Sequence, residues 1–229
     1  MYISQVASAL GGLPLLLTQM SSLMTRERLS YKDFLELCNE KGISHMDWTT
    51  GESSRAVQAF SIFQTLGLNN LPASSLCILQ MASFLDPDRL PEDILKSCIS
   101  LQVATGFPRT LKTYFDARLK LIKSSLIESQ PATDHRPEAI SLHRITQDVA
   151  RTNMSPSEYV ETFEATVKAV SAVWPFGELV DRFSTDRYDK CAEIFPSVVR
   201  LKGWQEQLLE TSSCKDPDIC ANLYNDAGW

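Results

Sequence analysis

Residues 110–142, TLKTYFDARLKLIKSSLIESQPATDHRPEAISL, decide the fold. Up to Lys123 the apolar residues Leu111, Phe115, Leu119 and Ile122 recur with helical spacing. At Ser124 the period changes. Residues 124–128 (SSLIE) and 139–142 (AISL) are short, strand-like runs, joined by a polar segment carrying Pro131, Asp134 and Pro137. Upstream, Gly106, Phe107 and Pro108 mark a turn, and Pro91 opens a short helix, EDILKSC, at 92–98. Before that, Asp86, Pro87 and Asp88 form a further turn. Pro72 opens ASSLCILQMASFL (73–85), which is apolar on almost every face and so belongs in the middle of a core. Three helices followed by a two-stranded hairpin is the order of a winged helix-turn-helix. Residues 71–152 are therefore expected to form a winged-helix domain with a short β-hairpin wing.

On both sides of this block the pattern is helical, so the chain is expected to be mostly α. Pro14 stands where a missing N–H costs nothing, at the start of a helix over 15–24. Ser30 and Asp33 bracket the start of YKDFLELCNEK (31–41), and Gly42 closes it. Residues 43–55 are polar and irregular, and residues 56–66 read as another helix. Residues 1–66 are thus expected to be a small helical domain. Downstream, Ser155, Pro156 and Glu158 make a capping box with proline at the first helical position. Val160, Phe163, Val167, Val170 and Trp174 then trace one apolar stripe, a core face with no cofactor implied. Further helical pieces are expected around 187–194, 196–211 and 217–227, so that 153–229 form a helical segment. The last pattern stops at Trp229 without a cap or polar tail, as in a chain cut from a longer one.

Composition narrows the function. With 22 basic against 28 acidic residues the net charge is −6, which supplies no global positive field for nucleic acid. Residues 1–150 carry 14 basic and 15 acidic groups, and 151–229 carry 8 and 13, a shift that suggests a join near 150. Most of the six cysteines sit within apolar helical patterns, no CxxC occurs, and Cys214 and Cys220 lack partners for a zinc site. A reduced, cytoplasmic setting is expected. The N-terminus lacks the basic region of a signal peptide, and no run approaches the ~18 apolar residues of a membrane span.

Catalytic motifs are missing. None of the nine glycines begins a GxxxxGK[ST] or GxGxxG run, the loops whose backbone N–H groups cradle phosphates. There is no HExxH and no calcium loop, and three histidines (45, 135 and 143) offer little for a metal cluster. Catalysis by this chain alone is not expected. On the third helix of the winged domain, however, Arg109, Lys112, Lys120 and Lys123 fall within about one third of the circumference, interrupted only by Asp116. In a DNA-binding winged helix such a face meets phosphates. The bland alternative is a solvated face opposite a core side formed by Leu111, Phe115, Leu119 and Ile122.

Two short signatures add a family resemblance. Gly11, Gly12, Leu13, Pro14 and Leu15 resemble the GLPL motif of NB-ARC proteins, the NOD-like switch ATPases of the STAND class. About 130 residues later, Ile140, Ser141, Leu142, His143 and Arg144, continuing to Asp148, resemble the "MHD" region that ends the winged helix of that family. The chain as a whole resembles fungal-type NB-ARC proteins that continue into tetratricopeptide (TPR) repeats, with residues 223–229 similar to the first helix of such an array. The resemblance implies a fragment: an ARC-like end at 1–66, the winged helix, and the start of a TPR-like superhelix at 153–229. It implies ADP or ATP held at a domain junction, with Pro14 packing on the adenine and His143 reaching the β-phosphate. Its partners would be an upstream nucleotide-binding domain and downstream TPR repeats, with no nucleic acid and no membrane. Arg144 stands where many relatives have aspartate, and an arginine cannot accept the hydrogen bonds of a carboxylate. The implied function is a non-catalytic regulatory segment of a signalling switch; the alternative is a winged-helix DNA-binding regulator.

Overall fold

Serine caps and opening prolines set several helix starts in this chain, and the computed structural model places those starts at or next to the expected residues. It describes residues 14–40, 68, 70–134, 136–177, 187–209 and 217–228. Helix α1 (Pro14–Glu27) begins on its proline and runs three residues past the expected end. Helix α2 (Tyr31–Glu40) begins on a reciprocal cap: the Asp33 amide donates to Ser30 Oγ (3.2 Å), and the Ser30 amide and hydroxyl donate to Asp33 Oδ2 (3.1 and 2.7 Å). Those bonds hold the Asp33 carboxyl below its ordinary range. The loop and helix expected over 43–66 lie outside the described residues, as do Gly11, Gly12 and Leu13.

The central block has the expected topology. Helix α3 (Ala73–Ala82) leads to strand β1 (Leu90–Pro91), helices α4 (Glu92–Leu101) and α5 (Leu111–Lys123), and strands β2 (Glu128–Gln130) and β3 (Ala139–Ser141). The sheet is antiparallel in the order β1-β3-β2, with Leu90 and Ser129 both paired to Ile140. This is a winged helix. The third strand is absent from the sequence reading because two residues are too few to show a period. Pro91 fits there because β1 is an edge strand and needs no N–H on its open side.

One boundary differs from expectation. Residues 124–127 do not start the wing; Ser125 turns through a left-handed conformation (φ 53°), and Leu126 and Ile127 are both buried. Successive burial is incompatible with the alternation of a half-exposed strand, so pairing begins at Glu128. The Ser125 amide donates to Ile122 (2.9 Å) and the Leu126 amide to Leu121 (3.1 Å), finishing α5 tightly.

Helices α6 (Arg144–Thr152), α7 (Pro156–Val173), α8 (Tyr188–Leu209) and α9 (Pro217–Ala227) complete the fold. The cap on α7 is reciprocal: the Glu158 amide donates to Ser155 Oγ (3.4 Å), and the Ser155 amide donates to Glu158 Oε2 (2.8 Å). Ser155→Ala is expected to cost about 1 kcal/mol at neutral pH by urea titration. Hydrogen bonds from Ser155 also lower the Glu158 pKa. This contribution is therefore present above the unfolded-state value and fades as pH falls through the lower folded one. The two helical pieces expected over 187–211 are one 22-residue helix with Pro196 inside it. An interior proline forfeits a backbone bond. Here full burial of Ile194, Val198 and Leu201 on the same helix offsets that loss.

One core runs from Leu68 to Tyr224, continuous across residue 150. Phe84 lies at its centre, edge-on to Tyr159 (4.9 Å between centroids), Phe163 (5.7 Å) and Trp204 (6.5 Å). Cys77, Cys98, Cys191 and Cys220 carry thiols rather than disulfides, and burial pushes the Cys77 thiol up to about 11 and that of Cys98 to about 12. Cys77 and Cys98 are therefore expected to resist a thiol reagent at pH 8 until urea unfolds the chain; labelling of either in the native protein, read by mass spectrometry, would contradict the packing. Among the described residues no helix is long and apolar enough to cross a membrane.

Candidate functional site

Of the two residues singled out by sequence, His143 is placed in full. β3 delivers Ile140 into the core, Leu142 is buried with its amide bonded to the Pro87 carbonyl (2.9 Å), and His143 emerges exposed as the N-cap of α6. Its Nδ1 accepts from the Ile145 amide (3.3 Å), so in the neutral ring Nε2 carries the proton. The first turn of α6 itself contains no acidic residue to meet the positive end of the helix dipole. Arg144 is exposed beside it and pairs at 3.8 Å with the exposed Asp88, a contact that solvent largely screens. This arrangement suits an anion: one imidazole donor, a helix N-terminus and a guanidinium within two residues. Pro14 is the first residue of α1, but the surroundings of its side chain lie outside the described residues. Among the described residues, α1 meets the winged helix through the Ser22 and Ser125 hydroxyls (2.6 Å).

Helix α5 corrects the expected core side. The face buried is Tyr114, Ala117 and Leu121, whereas Leu111 is 53% exposed, Phe115 44% and Leu119 47%. Only Ile122 of the expected set is partly buried. The rotation has two causes. Small side chains let α3 approach closely, so that Ser75 Oγ donates to the Ala117 carbonyl (3.1 Å). A buried carboxylate also claims the polar residues of that face. Glu92 is 0% exposed, receives the Tyr114 hydroxyl (3.1 Å) and pairs with Arg118 (2.6 Å) and Lys96 (4.0 Å). Burial and the Glu92 charge drive the Tyr114 hydroxyl well above its ordinary pKa. The same cluster holds the wing: Arg118 donates to Ser129 (2.6 Å), Lys96 pairs with Glu138, and the Glu92 amide donates to the Glu138 carbonyl (3.2 Å).

Arg109, Lys112, Lys120 and Lys123 are all exposed, as the basic-face reading expects. Lys120 and Lys123 border a groove of about 560 Å³ whose other side is lined by Ser21, Ser22 and Thr25 of α1. The outward side of α5 is thus divided lengthwise into an apolar strip and a basic strip.

A second polar group, missed in the sequence, joins the winged helix to the C-terminal helices. Gln147 donates to the carbonyls of Ala82 (3.1 Å) and Leu85 (2.9 Å), and Arg151 to that of Ser83, where α3 ends and its carbonyls need partners. From α8, Arg200 donates to Gln147 Oε1 (3.1 Å), and the Trp204 ring lies 4.1 Å from the Arg151 guanidinium. Burial lowers the Arg151 pKa while Asp148 opposes the shift. The i, i+4 spacing of Gln147 and Arg151 on the inner face of α6 is the signal that would have found them. Among the described residues no His, Cys, Asp or Glu cluster could hold a metal ion.

Fold and site together define a winged-helix protein with a helical extension packed against it. Residues 66–159 match the family model described as a domain of unknown function (DUF7779), an interval that covers the winged helix, α6 and the first turn of α7. No curated protein and no solved structure matches the chain.

Proposed function

We propose that this chain is a non-catalytic regulatory segment of a cytoplasmic NOD-like switch, docking an upstream nucleotide-binding domain and leading into TPR repeats. The observation that carries the reading is the place of His143. It is exposed at a helix N-terminus directly after the last strand of a winged helix, with Nε2 as the donating nitrogen. That chemistry fits the β-phosphate of ADP, which would bind the imidazole, the α6 N-terminus and Arg144. Pro14 would meet the adenine. When bound, the nucleotide would supply the charge that holds the winged helix in its off-state position; the chain's own residues orient and retain it. In a longer form carrying the phosphate-binding loop, His143→Ala is expected to speed ADP release about tenfold, measured by stopped-flow with a fluorescent analogue. Unchanged release would remove His143 from the latch.

Exposure of Lys112, Lys120 and Lys123 on α5, and of Arg109 just before it, is compatible with the DNA-binding alternative. Against it stands the apolar strip beside them, since Leu111, Phe115 and Leu119 would be set against phosphates. A titration with random duplex DNA separates the readings. Steep salt dependence, lost on reversing Lys112, Lys120 and Lys123, would favour DNA.

A further inference from the structure

The outward side of α5 has a charge pattern that selects its partner. At roughly 100° per residue, Leu111, Ile122, Phe115 and Leu119 span about 80° of the helix, and Lys112, Lys123 and Lys120 fill about the next 80°. Asp116 is the single acidic residue among them. On the other edge of the apolar strip lies Arg118, whose charge is already neutralised by buried Glu92. The strip therefore has one positive edge and one neutral edge. Phe115 is also fixed in place, packed on the Tyr114 ring (5.7 Å) with Lys96 Nζ 5.7 Å from its centroid.

We infer that this face of α5 docks an amphipathic helix of a partner protein, one whose apolar ridge carries carboxylates along a single edge. Apolar residues at i, i+4 and i+8 match the ridge spacing of a helix laid alongside, and the uncompensated lysines call for acidic residues opposite Lys112 and Lys123. An anionic membrane is the other surface such a pattern fits. It is disfavoured because the chain as a whole carries −6, which an anionic surface repels. The inference does not depend on nucleotide binding, and it stands whether or not His143 contacts ADP.

The test uses the 229-residue chain and two synthetic helical peptides with an identical leucine ridge, one edged by glutamates and the other by lysines. Fluorescence anisotropy is expected to show the glutamate peptide bound about tenfold more tightly than the lysine peptide. Phe115→Ser, at an exposed position, should weaken the glutamate peptide about tenfold with an unchanged circular dichroism spectrum. The pair Lys112→Glu and Lys123→Glu should reverse the preference between peptides. No binding of the glutamate peptide, equal binding of both, or indifference to Phe115→Ser would each overturn the proposal. So would Phe115-dependent sedimentation with phosphatidylserine vesicles.

Discussion

Phe84→Ala is expected to lower the unfolding free energy by about 3–5 kcal/mol, a large share of the ~5–15 kcal/mol that holds a domain together. Phe84 follows the C-cap of α3 and is fully buried, with edge contacts to rings on α7 and α8. Truncation removes the transfer energy of the ring and opens a cavity where α3, α7 and α8 meet. The variant should also change how the chain unfolds. Gln147, Arg151 and Phe84 make the winged helix and the C-terminal helices a single packed body, so unfolding should be one transition. Of the four tryptophans, Trp174 and Trp204 report from α7 and α8, whereas far-UV circular dichroism reports on all helices. In the wild type the two urea curves should coincide. In Phe84→Ala the fluorescence midpoint should fall below the dichroism midpoint. Separate curves in the wild type, or a cost under about 1 kcal/mol, would mean that the two parts are held together elsewhere.

Much of the fold is legible in local chemistry. The starts of α2 and α7 are written in Ser30 with Asp33 and in Ser155 with Glu158, because a cap is made by residues three apart and needs no tertiary context. Of the stripe from Val160 to Trp174, Phe163, Val167, Val170 and Trp174 are buried as the period implies, and Val160 is half-buried. The reading of α5 went wrong for a physical reason. That helix carries two apolar sets, Leu111, Phe115 and Leu119 against Tyr114, Ala117 and Leu121, and periodicity selects the more hydrophobic. Packing selected the other, the face from which Tyr114 donates to the buried Glu92 carboxylate and beside which Arg118 pairs with it. That partnership joins residues more than twenty positions apart and is invisible to any window of sequence. Proline misled at 196 in the same way, where burial of neighbouring side chains outweighs a lost backbone bond. In the candidate site, the position of His143 between strand and helix was legible, but its tautomer depends on a bond to Ile145 that only coordinates reveal.

Glu92→Ala should be the second severe variant, costing about 3–5 kcal/mol. The carboxylate is fully buried, and its removal strands the buried Tyr114 hydroxyl and takes the charge partner from the partly buried Arg118 guanidinium. Lys96 is less affected because Glu138 remains as its partner. Glu92→Gln keeps the shape and can still accept from Tyr114, so it should cost less than the alanine while still losing the Arg118 pair. The consequence should reach the wing, since Arg118 and Lys96 are also what holds Ser129 and Glu138 in place. Hydrogen exchange in both variants should rise across 128–141, more than in α8 and α9. It should reach the α5 surface too. Lys96 lies against Phe115, and Arg118 neutralises one edge of the apolar strip only while Glu92 is present. With Glu92 gone that edge becomes positive, and the glutamate-edged peptide should lose its preference for a single orientation, read by paramagnetic label at one peptide end. Unaltered exchange in the hairpin, or a stability loss confined to α4, would show that the wing stands on its sheet hydrogen bonds alone. The buried cluster would then serve α4 and α5 without coupling them to the surface.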